Sequence, residues 1–444
     1  MHTSTVSFVS PAEVHASLAR HILADGFDIV LDLDRSHGAW LHDARSGREL
    51  LDFCTFFASN PIGFNHPSMR DPEFQQVLQR AAQHKPALSD LYTVEYAWFV
   101  DVFGRLAKPS YLNHAFFIEG GALGVENAIK TAFDWKVRRN RARGLPGERG
   151  QQVLHFKEAF HGRSGYTLSL TNTDPVKTEL FPKFSWPRVS NPKLRFPVTA
   201  EVEREVKAAE QQALDEVERA FAANPDDIAA VLVEPIQAEG GDNHFRPSFL
   251  QALEREAKEH DAFFIVDEVQ TGVGITGRMW AHEHFGLRPD ALAFGKKMQV
   301  GGCLVGPRVD EEPQNVFRVS SRINSTWGGN LTDMVRAARY LEIIEQDRLL
   351  ENTRAVGLRL LEGLQSLQRE LGGLLTNARG LGLMIAFDLP TPELRSRAQD
   401  AMLANGMLLL GCGPRSIRFR PPLNLTASEA DAGLEIARRS LKEL

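Results

Sequence analysis

The segment Ala291-Leu-Ala-Phe-Gly-Lys296 is a short apolar run that ends in a lysine. Pro289-Asp290 comes directly before it, and a run of this length beside turn residues is typical of a buried parallel strand. In open α/β sheets, ligands bind just outside the carboxyl ends of the strands. A lysine there loses part of its hydration, which lowers its pKa and favours a neutral amine that attacks carbonyl groups. An exposed lysine after a strand is the commoner case, so Lys296 needs support from elsewhere in the chain.

Two further apolar runs end in carboxylates. Ala262-Phe-Phe-Ile-Val266 leads into Asp267, and Ile228-Ala-Ala-Val-Leu-Val233 leads into Glu234. If the runs are parallel strands of one sheet, these carboxylates and Lys296 meet at one edge. A lysine that forms a Schiff base and an aspartate that keeps a pyridinium nitrogen protonated are what pyridoxal phosphate requires. The sequence therefore predicts a pyridoxal phosphate site at this edge.

Strand and helix patterns alternate from about residue 77 onwards. Such alternation predicts an α/β protein with a large, mainly parallel sheet that has helices on both faces. Shorter elements on either side predict a small α/β domain formed by both ends of the chain. We expect three segments: 1–76, the N-terminal part of the small domain; 77–328, the large cofactor-binding domain; and 329–444, the C-terminal small domain.

Local signals near the two ends predict the elements of the small domain. Ser10-Pro-Ala-Glu13 and Thr426-Ala-Ser-Glu429 are capping boxes, which mark helix starts. Helical spacing of apolar residues extends the first helix to about Ala24. A small antiparallel meander is expected to follow. Its predicted strands are Ile29–Leu33, Ala39–Leu41 and Glu49–Phe53.

Composition excludes several classes of protein. The chain has 444 residues, of which 43% are hydrophobic and 24% charged, as is ordinary for a globular protein large enough for two domains. The formal net charge is -6, and no basic block indicates nucleic acid. Three widely spaced cysteines favour a reducing compartment. The stretch Met1 to Asn60 has no signal-peptide pattern, and no apolar run reaches the ~18 residues of a membrane span. We expect a cytoplasmic enzyme with no nucleic-acid or membrane partner.

Other residues near the predicted edge carry groups that fit the same site. Gly121 and Ala122 begin a helix directly after a predicted strand, and their amides can bind an anion. Phe160 can stack on a cofactor ring, and Arg163 can hold a carboxylate through two parallel hydrogen bonds. Each of these features, taken alone, is more often a helix start, a packed aromatic ring or a surface arginine.

Polar residues on three further segments are candidates for the cofactor ring and for substrate carboxylates. Gln270 follows Asp267 by three residues, so both can reach one ring. Arg418 and Arg420 share a face of an alternating segment and can capture carboxylates, although a structural ion pair is a fair rival. Glu239 lies on a glycine-containing loop where it can pair with an arginine.

Two remaining features have weaker signals. Phe57 lies in the mixed apolar and polar loop 55–63, and it is a candidate wall of the substrate pocket, with core packing as the alternative. His282 and His284 stand two residues apart on a predicted helix, so they do not face one ligand point. No metal site is expected.

Several of these segments together resemble the class III (ω-amino acid) aminotransferases of pyridoxal phosphate fold type I. The similarity is ordered along the chain, has matching spacing and spans most of the sequence. Within this family, the chain is most similar to the lysine ε-aminotransferase branch. The segments that carry the family resemblance are Phe160-His-Gly-Arg163, Val233-Glu-Pro-Ile-Gln-Ala-Glu-Gly-Gly241, Asp267-Glu-Val-Gln-Thr-Gly-Val-Gly-Ile-Thr-Gly-Arg278 and Pro289–Lys296. Those that carry the similarity to the lysine branch are Asp28-Ile-Val-Leu-Asp-Leu33, Gly162-Arg-Ser-Gly-Tyr-Thr-Leu-Ser-Leu-Thr-Asn-Thr173, Asn324-Ser-Thr-Trp-Gly-Gly-Asn-Leu-Thr-Asp333 and Arg418-Phe-Arg-Pro-Pro-Leu423.

The resemblance implies pyridoxal 5'-phosphate as the cofactor, Lys296 as its Schiff-base lysine and Asp267 as the partner of the pyridinium nitrogen. Lys297 is the alternative lysine. The family's spacing from Pro289-Asp290 selects Lys296. One extra residue before Gly301-Gly302, compared with the family's pattern, selects Lys297 when the count runs backwards from the glycines.

Further cofactor contacts follow from the same resemblance. It implies that Gln270 lies beside the ring hydroxyl, that Phe160 stacks on the ring and that Gly121 with Ala122 cradles the phosphate. Many relatives have a hydroxyl residue in that cradle, and its absence here places more of the phosphate binding on backbone amides and on Thr326. In this fold the counterpart of Thr326 reaches the phosphate of the other subunit, so a homodimer is implied.

The implied reaction transfers the ε-amino group of L-lysine to 2-oxoglutarate, giving 2-aminoadipate 6-semialdehyde and L-glutamate. The resemblance assigns Arg163 to the α-carboxylate of lysine or to the distal carboxylate of the oxo acid. It assigns Arg418 to the α-carboxylate of 2-oxoglutarate or glutamate, and Glu239 to masking Arg418 while lysine is bound. The alternatives are ornithine or 4-aminobutyrate as the donor, and a non-catalytic protein that binds pyridoxal phosphate.

Overall fold

The computed structural model describes residues 7–444, in which strands and helices alternate. The strands are β1 (Trp40–His42), β2 (Glu49–Asp52), β3 (His114–Ile118), β4 (Gln152–Phe156), β5 (Arg188–Val189), β6 (Ile228–Val233), β7 (Ile236–Gln237), β8 (Asn243–His244), β9 (Phe263–Asp267), β10 (Ala291–Phe294), β11 (Gly301–Val305), β12 (Thr376–Leu381), β13 (Met384–Asp388), β14 (Met407–Leu408), β15 (Leu410–Cys412) and β16 (Ser416–Phe419). The helices are α1 (Val14–Ala19), α2 (Thr55–Ala58), α3 (Pro72–Ala82), α4 (Val94–Leu106), α5 (Gly121–Ala142), α6 (Gly165–Leu170), α7 (Ala200–Ala223), α8 (Pro247–Glu259), α9 (Leu331–Gln346), α10 (Leu349–Leu371), α11 (Pro392–Ala404) and α12 (Ala427–Lys442). Within this described range, no helix has the length and apolar character needed to cross a bilayer.

The apolar run before Lys296 forms β10 of a seven-stranded sheet, which confirms the strand prediction. The strand order is β3-β11-β10-β9-β6-β4-β5. Strand β11 runs antiparallel to both of its neighbours, and the other adjacent pairs are parallel. Every residue of β6, β9 and β10 is buried. Strands covered on both faces require such continuous apolar runs rather than alternating ones.

Helices cover both faces of this sheet. Phe263 and Ile265 of β9 belong to the core formed with α5, whereas Phe264 and Val266 belong to the core that includes α8. Successive side chains of a strand point to opposite faces, so α5 and α8 lie on different sides. This arrangement is the predicted α/β fold.

Parallel register brings the chemically important strand ends together. Asp267 at the end of β9 lies beside Ala293 of β10, and Val233 at the end of β6 lies beside Val266. Gly295, Lys296 and Glu234 therefore leave the sheet at the same edge as Asp267. This edge is where an open α/β sheet binds its ligand.

Glycines allow α5 to approach this edge closely. A Cβ atom added to Gly124 would lie 2.6 Å from the carbonyl oxygen of Gly302 in β11. The helix backbone therefore lies almost directly on the strand, which sets the first turn of α5 beside the carboxyl ends of β9 and β10. Strand β11 was not predicted, because glycines such as Gly301 and Gly302 disfavour strands in a sequence pattern.

Both ends of the chain contribute to one small sheet. Strand β14 pairs in parallel with β2, and β2 pairs antiparallel with β1. A second, four-stranded sheet has the order β12-β13-β16-β15, and Phe419 of β16 packs edge-on against Phe53 at a centroid distance of 5.0 Å. The division of the chain into segments 1–76, 77–328 and 329–444 stays a proposal, which these contacts support. Residues 1–6 of the first segment lie outside the described range.

Local predictions near the chain ends are partly confirmed. Both capping boxes form, at Ser10 and at Thr426. The strand predicted at 29–33 is wrong, because only an isolated bridge between Leu31 and Asp43 occurs there. Helix α1 ends at Ala19 rather than Ala24, and the apolar residues after it are exposed, so no core stabilises further turns.

The single turn α2, residues 55–58, has the opposite hand from an ordinary helix. The φ angles of Thr55, Phe56, Phe57 and Ala58 are 45, 52, 63 and 63°. Left-handed helical backbone costs roughly 1–2 kcal/mol per residue, because Cβ approaches the following carbonyl oxygen. The hydroxyl of Thr55 donates to the carbonyl of Arg420 at 2.7 Å, which helps to hold the turn. We call this segment the left-handed turn.

Candidate active site

A cavity of about 210 Å³ lies at the carboxyl ends of β6, β9 and β10. Its lining combines a lysine, three carboxylates, an aromatic ring and glycine backbone. The lining residues are Gly121, Ala122, Phe160, His161, Gly162, Glu234, Glu239, Asp267, Val269, Gln270 and Lys296. Seven of them were predicted as site residues from the sequence, which shows that distant segments converge at this edge.

Lys296 reaches the cavity directly after β10. Its Nζ atom donates a hydrogen bond to the carbonyl of Phe57 in the left-handed turn at 3.0 Å. Burial lowers the pKa of Lys296 to about 8, and the positive charge of Arg418 adds to the shift. The neutral amine, which is the nucleophilic and proton-accepting form, is therefore accessible near neutral pH.

The neighbouring Lys297 points away from the cavity. Its side chain is buried, and Nζ donates to the carbonyls of Gln270 at 2.7 Å and Ala58 at 3.3 Å. Burial, reinforced by the charge of Lys296, lowers the pKa of Lys297 well below its usual value. Because Lys297 is bonded to backbone and Lys296 lines the cavity, the geometry favours Lys296 of the two candidates.

Asp267 has a partner that the sequence analysis missed. The Nδ1 atom of His161 lies 2.7 Å from Oδ2 of Asp267, and both side chains are buried. The backbone amide of Val269 donates to Oδ1 at 3.0 Å. These two contacts fix the position of the Asp267 carboxylate. The position of His161 directly after the candidate Phe160 could have drawn attention to it. Its contact with Asp267, 106 residues away in sequence, was not predictable from a local pattern.

The first turn of α5 forms a cradle that side chains do not fill. Gly120 precedes the helix with a φ of 86°, and Gly121 and Ala122 line the cavity. A Cβ on Gly121 would come 2.6 Å from Val269, and one on Gly162 would come 2.5 Å from Ala122. Close packing by glycine leaves the free amides of a 22-residue helix facing the cavity, which suits a phosphate group.

Glu234 positions the loop that carries Phe160. Its two carboxylate oxygens accept from the amides of Phe160 at 3.0 Å and Ala238 at 3.1 Å. Complete burial, with the nearby charge of Asp267, raises the pKa of Glu234 well above its usual value. Glu234 was predictable from its sequence pattern only as a strand end, and the pattern gave no signal for this role.

Two charged groups from different parts of the chain meet at the cavity. Arg418 Nη1 lies 2.9 Å from Oε2 of Glu239, and it also lies 3.4 Å from Oε1 of Gln270. Arg420 donates to the same Gln270 oxygen at 3.2 Å. The predicted Glu239–Arg418 pairing is therefore present, and the arginine beside it helps to orient Gln270.

Four predicted site residues do not line this cavity: Arg418, which contacts the lining residues Glu239 and Gln270, and Arg163, Thr326 and Phe57. Arg163 and Thr326 are exposed. The Phe57 side chain is half exposed and lines a separate apolar groove with Phe56 and Leu23. Only the carbonyl of Phe57 reaches Lys296. Their predicted roles in substrate or phosphate binding stay predictions.

The donor set fits pyridoxal phosphate. A lysine and an aspartate lie at neighbouring strand ends, an aromatic residue lines the same cavity, and free helix amides provide a place for the phosphate. This combination on a mixed α/β sheet defines a fold type I enzyme that uses pyridoxal phosphate. Residues 23–441 match the family aminotransferase class-III, and the chain belongs to that family. It is a pyridoxal phosphate-dependent aminotransferase.

Individual relatives are similar over nearly the whole chain. The L-lysine-epsilon aminotransferase of Amycolatopsis lactamdurans is 52% identical over 97% of this chain and 95% of its own length. The enzyme of the same name from Streptomyces clavuligerus is 49% identical, over 97% and 94% respectively. The solved lysine aminotransferase from Mycobacterium tuberculosis has a TM-score of 0.96 and 48% identity, covering 98% of this chain and 100% of that chain.

Proposed function

We propose that this chain transfers the ε-amino group of L-lysine to 2-oxoglutarate, giving 2-aminoadipate 6-semialdehyde and L-glutamate. The observation that carries the proposal is the ion pair of Glu239 and Arg418 at 2.9 Å in the cavity that Lys296 enters. The two substrates differ in charge beside the reacting carbon, and this pair can present either a neutral surface or a free arginine. The names of relatives at 49–52% identity support lysine as the donor.

The side chains of the cavity divide the work of such a reaction. Bound pyridoxal phosphate supplies the carbonyl group that receives the amino group and a ring that accepts electrons. Lys296 in its neutral form accepts a proton from the ε-carbon of the substrate, because it is the one lysine of the pair that faces the cavity. Asp267 would hold the ring nitrogen, Gln270 the ring hydroxyl and Phe160 the ring face.

Glu239 and Arg418 explain how one cavity takes two substrates. A paired Arg418 offers no charge to the aliphatic chain of lysine near the reacting end. When the pair opens, Arg418 presents a bidentate binder to the α-carboxylate of the oxo acid. We assign Arg163 to the distal carboxylate on resemblance alone, since its exposed side chain lies outside the cavity lining.

Lysine should be the best donor in a panel assayed with 2-oxoglutarate as the acceptor. We expect kcat/KM for lysine to exceed the values for ornithine and 4-aminobutyrate by about ten-fold or more, since a pocket discriminates by chain length at ~1–3 kcal/mol per methylene. Glutamate formation measures the rate, and the Lys296→Ala variant gives the background. A higher kcat/KM for ornithine or 4-aminobutyrate would replace lysine as the donor. No amine transfer with any of them would favour a non-catalytic binding protein.

We also propose a homodimer in which Thr326 reaches the partner's phosphate site. Thr326 lies on an exposed loop whose carbonyl at Ser325 accepts from the Ser89 hydroxyl at 2.8 Å. Beside it, Leu91, Tyr92 and Trp327 leave apolar surface exposed. A second copy would bury this surface and place the hydroxyl where the partner's helix amides need a further donor.

The reducing compartment indicated by three unpaired, buried cysteines supports the cytoplasm as the proposed location.

Thr326→Val is expected to leave the dimer intact and to weaken pyridoxal phosphate binding by about ten-fold, because one hydrogen bond to a charged group is lost. Sedimentation equilibrium measures the assembly, and titration of the unloaded protein with the cofactor measures affinity. Thr376→Val, on the distant β12, is the matched control and should change neither quantity. The proposal is refuted if the wild-type protein is monomeric, or if Thr326→Val binds the cofactor as tightly as the wild type does.

A further inference from the structure

We propose that Lys177 is a second partner for Glu239, which receives the carboxylate when a dicarboxylic oxo acid occupies Arg418. Lys177 ends a short 3-10 helix, Pro175–Lys177, in the irregular segment before β5. This role rests on the proposed transamination and adds a positioning residue for the acceptor substrate. Neither the sequence patterns nor the family resemblance pointed to Lys177.

The carboxylate of Glu239 bridges two cations. Its Oε2 atom lies 2.9 Å from Arg418 Nη1, and its Oε1 atom lies 2.6 Å from Lys177 Nζ. The ammonium of Lys177 also lies 5.7 Å from the centre of the Phe160 ring. Lys177 does not line the cavity itself, but it lies beside two residues that do, Glu239 and Phe160, and its charge is directed at Glu239.

The two cations differ in freedom. Arg418 lies in the middle of a sheet, paired with Ala386 of β13 and Leu410 of β15, and its side chain is only 3% exposed. The Lys177 side chain is 19% exposed and extends from a surface segment. Lys177 can follow a moving carboxylate, whereas Arg418 cannot leave its place.

The backbone around Glu239 is held firmly, so only its side chain can move. The carbonyl of Glu239 accepts from the amide of Gly413 at 2.8 Å. Arg379 donates to the carbonyl of Asp242 at 2.9 Å and also contacts the carbonyl of Gly241. The carboxylate of Asp242 forms a buried ion pair with Arg420. A short rotation of one side chain is then sufficient to open the Glu239–Arg418 pair.

Lys177 lowers the free-energy cost of that rotation. A carboxylate that left Arg418 without a new cation would be a partly buried, unpaired charge. Burial alone would favour the neutral form of Glu239, but Arg418 and Lys177 outweigh it and lower the pKa of this group. With Lys177 in place, Glu239 stays charged and paired whether or not Arg418 is occupied.

The arrangement affects the two substrates differently. With lysine in the site, Glu239 remains on Arg418 and needs no second cation. With 2-oxoglutarate, the substrate takes Arg418 and a Glu239–Lys177 pair forms a separate neutral unit. This pairing also limits repulsion between the Glu239 carboxylate and the incoming carboxylate. Lys177 therefore favours the oxo acid selectively.

Lys177→Met should raise KM for 2-oxoglutarate about ten-fold and change KM for lysine by less than about two-fold, a coupling of ordinary size between sites. Methionine keeps the length of the stem and removes the charge. Calorimetric titration of the loaded enzyme with glutarate, an unreactive dicarboxylate, should show a similar loss of affinity. Lys207→Met is the matched control, because it removes an exposed cation paired with Glu203 at 2.8 Å, away from the site. Lys177→Arg should restore glutarate binding.

A double-mutant comparison separates positioning from direct contact. If Lys177 acts through Glu239, adding Lys177→Met to Glu239→Gln should change glutarate affinity by less than about two-fold. A ten-fold loss that persists in the Glu239→Gln background would mean that Lys177 binds the substrate itself, and equal losses for both substrates would mean a structural role. Either result overturns the proposal. Failure of lysine as a donor would refute the proposed function instead, and glutarate binding would still test Lys177.

Discussion

Lys296→Ala is expected to lower kcat by roughly four orders of magnitude or more, with loss of the visible absorbance of the cofactor joined to the protein. In the proposed function, Lys296 is both the amine that attaches the cofactor and the group that moves the substrate proton, and general base catalysis alone contributes ~10²–10⁴-fold. Turnover with lysine and 2-oxoglutarate at saturating cofactor, together with the spectrum, measures the effect.

Lys297→Met is the matched control for this experiment. Lys297 donates to two backbone carbonyls, Gln270 and Ala58, and does not line the cavity. Its removal leaves buried acceptors unpaired, which should lower the free energy of unfolding by about 1–3 kcal/mol. The absorbance and at least a tenth of the turnover should remain. If instead Lys297→Met lost the absorbance and Lys296→Ala kept it, the two assignments would have to be exchanged.

Asp267→Asn should lower kcat by about a thousand-fold, comparable to the largest losses seen when one preorganised electrostatic group is removed. An amide has nearly the same shape as the carboxylate but cannot balance a protonated ring nitrogen, so the ring withdraws fewer electrons. The contact to His161 at 2.7 Å keeps the side chain in place, which makes the charge the main change. Steady-state kinetics at saturating cofactor report the loss.

A surface pair of the same chemistry provides the control for Asp267. Asp310 lies 2.8 Å from Nε2 of His114, and Asp310→Asn should change kcat by less than two-fold because this pair is remote from the cavity lining. Near-normal turnover in Asp267→Asn would remove Asp267 from the proposed role and would point to another group at the ring nitrogen.

Sequence patterns predicted the parts of the fold that depend on local regularities. Continuous apolar runs identified β6, β9 and β10, and capping boxes identified the first turns at Ser10 and Thr426. The prediction at 29–33 is wrong because side-chain hydrogen bonds of Asp43 to the amides of Val30 and Arg45 favour turns over strand pairing. Strand β11 was missed because glycine packing there depends on α5, which a local pattern does not report.

In the candidate site, too, residues in local motifs were predicted and residues that depend on long-range contacts were missed. Lys296, Asp267 and Glu239 belong to motifs with recognisable spacing, and the structure places all three at one cavity. His161 and Lys177 were missed because their importance comes only from contacts, with Asp267 and with Glu239, that join distant segments. Which of two adjacent lysines faces the cavity also depends on backbone direction after Gly295, where Lys296 has a φ of 49°.

The left-handed turn has a practical consequence for anyone who redesigns the donor side of this enzyme. Its carbonyls accept hydrogen bonds from Lys296, from Lys297 and, one residue further on at Ser59, from Gln299. A segment with such unusual backbone geometry and the stretch 296–299 therefore constrain each other's shape. A loop graft from another aminotransferase that replaces only residues 55–59 would remove the carbonyl positions that hold the stretch 296–299 in place. Residues 55–59 and 296–299 therefore have to be exchanged together.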